Sequence, residues 1–135
     1  MPSGTLVDAN VLLDVLTEDA VWLSWSLDSL VAAAECGPLV INPIIYAEVS
    51  VNFATIAEVE LALPEEDFRL LPIPVEAAFL AGKAYAQYRR AGGMRTSALP
   101  DFFIGAHAAV LGMRLLTRDP RRYRTYFPTV ELIAP

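Results

Sequence analysis

Apolar positions along the chain fall into short unbroken runs and longer stretches of helical period, and the two kinds alternate. Thr5-Leu6-Val7, Leu39-Val40-Ile41 and Arg114 to Thr117 read as short buried strands. Another lies within Phe68 to Ile73, ahead of Pro74, and a fifth within Val130 to Ile133. Between them, Asn10 to Leu16, Val21 to Cys36, Thr55 to Leu63 and Val75 to Arg90 have the spacing of helices. Gly37-Pro38, Pro64, Gly92-Gly93 and Gly112 supply the stops. Asn42-Pro43 provides an N-cap and a proline at the first helical position, opening a helix through Glu48 and Asn52. Ser97-Ala98-Leu99-Pro100 opens the helix that carries Asp101, Ile104, Ala108 and Leu111. Strands alternating with helices in this way predict an α/β fold, a parallel sheet of about five strands covered by helices on both faces.

No repeat, low-complexity tract or linker divides the chain, and 135 residues suit one domain spanning 1–135. Acidic residues interrupt every apolar run before it reaches the roughly 18 to 20 residues of a membrane span. The opening Met1 to Asp8 lacks the basic start and apolar core of a secretory leader, so the expected location is cytoplasmic. Cys36 has no second cysteine to pair with and is expected to act as a small buried hydrophobe. Charge changes the picture more. Residues 1–68 hold twelve acids and no Lys or Arg, whereas residues 69–135 hold ten bases and four acids. A split of this kind is a positional signal, beyond the net charge of -6.

In an open α/β sheet, ligands bind beyond the carboxyl ends of the strands. Asp8 ends the first strand, Asp119 lies just past the fourth, and Glu48 and Asp101 follow the proline-opened helix starts; all four therefore point to one edge. Converging carboxylates repel each other unless a cation neutralises them, and hard divalent cations such as Mg²⁺ prefer oxygen ligands. Such a site hydrolyses phosphodiesters without a Ser, Cys or His nucleophile.

These residues carry a resemblance. Val7-Asp8-Ala9-Asn10-Val11-Leu12-Leu13-Asp14 resembles the opening of PIN domains, especially those of VapC-type toxins of toxin–antitoxin pairs. Ile45-Tyr46-Ala47-Glu48-Val49 is similar to the family's second acidic motif, Leu99-Pro100-Asp101 to Ala108 to its third, and Leu116-Thr117-Arg118-Asp119 with Tyr123 and Phe127 to its fourth. The resemblance implies a PIN-like three-layer α/β/α fold and a Mg²⁺- or Mn²⁺-dependent endoribonuclease that is silenced by a VapB-type antitoxin. It implies that Asp8, Glu48, Asp101 and Asp119 form the catalytic and metal-binding quartet, with Asn10 and Thr117 in support. The fourth acidic position varies within the family, which leaves Asp119 the weakest ligand of the four, working through water.

The remaining expectations concern the surroundings of that site. Arg89, Arg90, Arg95, Arg118, Arg121 and Arg122 flank the expected pocket and suit RNA phosphates; Tyr123 and Tyr126 among them suit stacking on unpaired bases. Asp14 is expected to be a solvated acid of the first helix, and His107, six residues past Asp101, a packed histidine outside the site. Trp22 and Trp25 suit anchoring to the core or to a partner helix better than base stacking. With Phe53 and the acidic N-terminal half they suit a basic antitoxin segment, alongside a homodimer. Two rivals are weighed. A phosphotransfer domain with an Asp8 nucleophile needs a second carboxylate at position 10, which is Asn, and a lysine near the phosphate, whereas Lys83 lies mid-helix. A non-catalytic PIN-shaped module binding RNA or protein would have lost acids that this chain retains.

Overall fold

The computed structural model of the chain describes residues 4–135, apart from the side chain of Thr96; Met1 to Ser3, part of the secretory-leader argument, lie outside the described residues. Strands β1 (Thr5–Val7), β2 (Leu39–Ile41), β3 (Phe68–Leu70), β4 (Arg114–Leu116) and β5 (Leu132–Ile133) form one sheet in the order β3-β2-β1-β4-β5, with every neighbouring pair parallel. β1 and β2 are buried at every residue, as strands covered on both faces must be, whereas edge strand β3 is half-buried to exposed. The helices are α1 (Ala9–Leu16), α2 (Leu23–Cys36), α3 (Pro43–Ser50), α4 (Ile56–Ala62), α5 (Val75–Arg90), α6 (Leu99–Leu111) and α7 (Arg121–Tyr126).

Local chemistry sets most of these boundaries. Asn42 Oδ1 accepts the amide of Ile45 at 2.9 Å and Pro43 takes the first helical position, so α3 starts where sequence places it. Thr55 and Glu58 form a reciprocal capping box on α4. At the end of α6, Gly112 adopts φ 65°, a left-handed C-cap conformation that disfavours a side chain. A Cβ built on Gly105 would lie 2.3 Å from Phe127 Cδ2, so this glycine lets the chain after α7 close onto α6.

Three expectations change. α7 falls in a segment for which the sequence predicts neither helix nor strand; Pro120, immediately ahead of it, is the start signal. A short 3-10 turn over Thr96–Ala98 precedes α6. Cys36 is exposed, because α2 buries only Ser26, Leu30 and Ala33 and its last residue faces outward. Among the described residues no helix is long and apolar enough to cross a membrane.

Candidate active site

The parallel register brings the carboxyl ends of β1 and β4 side by side, with Val7 opposite Leu116. Beyond them opens a cavity of about 480 Å³ whose lining includes Asp8, Asn10, Glu48, Asp101, Asp119, Arg122 and Tyr123. Asp8 leaves β1 and caps α1, its Oδ1 accepting the Ala9 amide at 2.8 Å. Glu48 is carried by α3, Asp101 stands in the first turn of α6, and Asp119 lies between β4 and α7. The four expected acids thus line one pocket. Asp8 is buried, Glu48 and Asp101 are half-buried, and Asp119, with a side chain 68% exposed, sits at the rim.

Asp8 is the most constrained. Its Oδ2 accepts hydrogen bonds from Thr117 Oγ1 and Tyr123 Oη, each at 2.9 Å. Thr117 is oriented in turn: its Oγ1 lies 3.4 Å from Asn10 Nδ2 and accepts the Asp119 amide at 3.2 Å, while Asn10 Oδ1 accepts the Arg118 amide at 3.2 Å. Asn10 and Thr117 therefore sit where supporting residues are expected. Tyr123 is a residue that sequence reasoning misplaced, since it is buried against Asp8 and presents no face to a base. The i,i+4 pairing of Tyr123 with Phe127, also buried, is the periodicity that marks its inward face.

Burial pushes the Asp8 carboxyl up to about 6, helped by the charge of Asp101 and opposed by the donors Thr117, Tyr123 and Ala9. Burial also pushes Glu48 up to about 7, with the charges of Asp8 and Asp101 adding to it. Asp101 is raised by burial despite the neighbouring Arg122, and the Tyr123 phenol is held well above its ordinary range by burial and the acids around it.

Among the described residues, no three His, Cys, Asp or Glu side chains are gathered as a metal-ligand group. Two of the carboxylates have instead taken other neighbours: Asp8 its hydroxyl donors, and Asp101 the Arg122 guanidinium. Glu48 Oε1 is buried with no hydrogen-bond partner. An orphaned carboxylate oxygen beside two other acids with raised pKa values is the donor set a hard divalent cation suits. The residues present fit Mg²⁺ or Mn²⁺.

Outside the quartet, Asp14 is a correction. It is 3% exposed, accepts Ser26 Oγ at 2.7 Å, and pairs with Arg118 Nε at 2.9 Å and Nη2 at 3.0 Å. The Arg118 fork, expected at RNA, is thereby engaged internally, with its guanidinium carbon 5.3 Å from the Trp22 ring centroid. Arg122 pairs with Asp101, and Arg121 approaches Asp119 at 3.7 Å across open solvent. Arg89, Arg90 and Arg95 are exposed. His107 is buried and packed as expected: the Asn42 amide donates to its Nδ1 at 3.0 Å, which leaves the ring proton on an unpartnered Nε2. Burial lowers its pKa.

The fold and the site together define a class of architecture, a parallel α/β sheet with an acid-lined pocket at its carboxyl edge. The PIN domain family model matches residues 5–128, so this chain belongs to the PIN domain family, a family of nucleases. Curated protein sequences yield no match. Similar solved structures include VapBC2 from Rickettsia felis bound to a DNA fragment from their promoter, with a TM-score of 0.74, 14% identity, and 97% of this chain and 98% of that one covered. DNA-bound VapBC from Salmonella typhimurium gives 0.67 at 18% identity, covering 99% and 98%. FitAcB from Neisseria gonorrhoeae gives 0.66 at 20% identity, covering 96% of each. At these identities the likeness establishes the shared fold.

Proposed function

We propose that the chain is a Mg²⁺- or Mn²⁺-dependent endoribonuclease, the VapC-type toxin of a toxin–antitoxin pair. The observation that carries this reading is the pocket in which Asp8, Glu48, Asp101 and Asp119 meet, two of them with pKa values pushed up toward neutrality by burial and mutual repulsion. Asp8, Glu48 and Asp101 would hold the cation, with Asp119 contributing from the rim. The cation supplies Lewis-acid stabilisation of charge on the phosphodiester and acidifies water. Thr117 and Tyr123 hold Asp8 in one orientation by donating to Oδ2, and Asn10 positions Thr117. Arg89, Arg90, Arg95, Arg121 and Arg122 form the rim that receives RNA phosphates.

The partner reading rests on the N-terminal half. Val21, Val31, Val51, Ile56 and Leu61 are exposed, and the groove beside α4 and β3 is lined by Leu61 and Leu70 together with Glu60, Glu65 and Glu66. A basic amphipathic antitoxin segment of the VapB type complements that surface, and a homodimer is the expected form of the toxin. Incubation with total RNA, with Mg²⁺ or Mn²⁺ and with chelator, tests the activity. Cleavage that depends on metal and is absent in Asp8→Asn supports the reading, and intact RNA under all conditions refutes it. Copurification with the product of a neighbouring reading frame tests the partner.

A further inference from the structure

Arg122 is the one pocket-lining base among the described residues, and it is half-buried with its guanidinium turned to a neighbouring acid. Its Nη1 is bonded to Asp101 Oδ2; the two side chains are only 26% and 33% exposed. Its guanidinium carbon also stands 5.4 Å from the centroid of the Tyr88 ring, which buttresses it toward Asp101. The ring is itself held against Phe102 and Tyr126, so the seat is built from α5, α6 and α7. Asp101 is thus an acid with two claimants, a guanidinium already in place and a cation that the pocket fits.

We propose that Arg122 is a resident counter-ion of the metal pocket: it occupies Asp101 until a divalent cation takes that carboxylate, and the guanidinium so released binds the RNA phosphate in the same cavity. The inference rests on the nuclease reading and adds to it an exchange of partners. Nothing covalent changes; one ion pair is traded for two. The exchange has a consequence that an arginine remote from the carboxylates, or a purely structural one, would not produce. Removing Arg122 strengthens metal binding and weakens RNA binding, so the two effects have opposite signs.

The test is a Mn²⁺ titration of the folded protein by calorimetry, without RNA, on wild type, Arg122→Gln and Arg122→Lys. Arg122→Gln is expected to bind Mn²⁺ about fivefold more tightly, the Boltzmann equivalent of the roughly 1 kcal/mol that a partly exposed pair is worth. Arg122→Lys, which keeps the charge without the fork, should stay within about twofold of wild type. Binding of a noncleavable 2′-deoxy-substituted oligonucleotide in Mg²⁺ should weaken in Arg122→Gln. An unchanged or weaker Mn²⁺ affinity in a folded Arg122→Gln overturns the exchange while leaving the nuclease reading intact; failure of wild type to bind Mn²⁺ at all overturns both. Should Arg122→Gln not fold, the guanidinium NMR signal of Arg122 in wild type decides: it should shift as Mg²⁺ saturates the site, and a signal that does not move refutes the proposal.

Discussion

Asp8 combines two demands, since it must be fixed in place and yet remain available. Three donors fix it, while burial lifts its pKa to about 6, so much of the folded-state cost of ionising it is unrelieved without a cation. Asp8 and Glu48 both bind protons more tightly in the folded chain than in the unfolded one. The stability they contribute is full below about pH 4 and is lost as pH rises through 6 and 7. The metal-free protein should therefore melt at a lower temperature at pH 8 than at pH 5, and Mg²⁺ at pH 8 should restore the loss. Asp8→Asn should abolish RNA cleavage, stay folded, and at pH 8 without metal gain about 1 to 2 kcal/mol, part of the roughly 1.4 kcal/mol per pKa unit at stake. Thermal melts across pH, with and without Mg²⁺, check this, and a metal-free Asp8→Asn less stable than wild type at pH 8 contradicts it. The meeting of the four acids in one pocket was legible because each follows a strand or a proline-opened helix start. Asp14 and Tyr123 were not, because what buries them is remote: Arg118 lies 104 residues from Asp14, and Tyr123 115 residues from Asp8.

Elements are tied together by contacts of the same long range. Asp14 on α1, Ser26 on α2 and Arg118 just past β4 form one buried polar knot that joins the two N-terminal helices to the carboxyl edge of the sheet. Removing one partner leaves a charge unpaired in the interior. Arg118→Ala is expected to destabilise by about 2 kcal/mol, discounted from a fully buried pair because Arg118 is a third exposed. Asp14→Ala with Arg118→Ala should cost less than the sum of the single changes, by about 1 kcal/mol, as a double-mutant cycle in urea would measure. Additive losses would mean the two side chains act separately. On the opposite side, Gly105→Ala drives a methyl into the Phe127 ring and should cost about 2 kcal/mol of overpacking. Gly105→Ala with Phe127→Leu should recover part of it. Proline or glycine marked the end of α2, the start of α3 and both ends of α5 and α6, whereas α7 was missed because its residues, Arg121 to Tyr126, are too polar to show an apolar stripe.

Across the whole molecule, the sequence's division of charge is carried into the fold: an acidic N-terminal half that includes the groove at α4 and β3, and arginines in the last turn of α5 and around α7. Arg89→Ala with Arg90→Ala should weaken RNA binding and reduce the slope of log affinity against log salt by about 1 to 2, with metal affinity unchanged. An unaltered slope would place the RNA elsewhere on the surface. The parallel sheet has a further consequence, for the order in which the protein comes into being. β1 is made first but lies at the centre of the sheet, between β2 and a β4 that begins 109 residues later. Until β4 leaves the ribosome, Asp8 lacks Thr117 and Tyr123, and α6 lacks the surface it closes against. Pairing over such a separation is slow and comes late. A nascent chain therefore holds Asp8 without its two hydroxyl partners for most of its synthesis, and the acidic pocket is completed only when α7 has emerged.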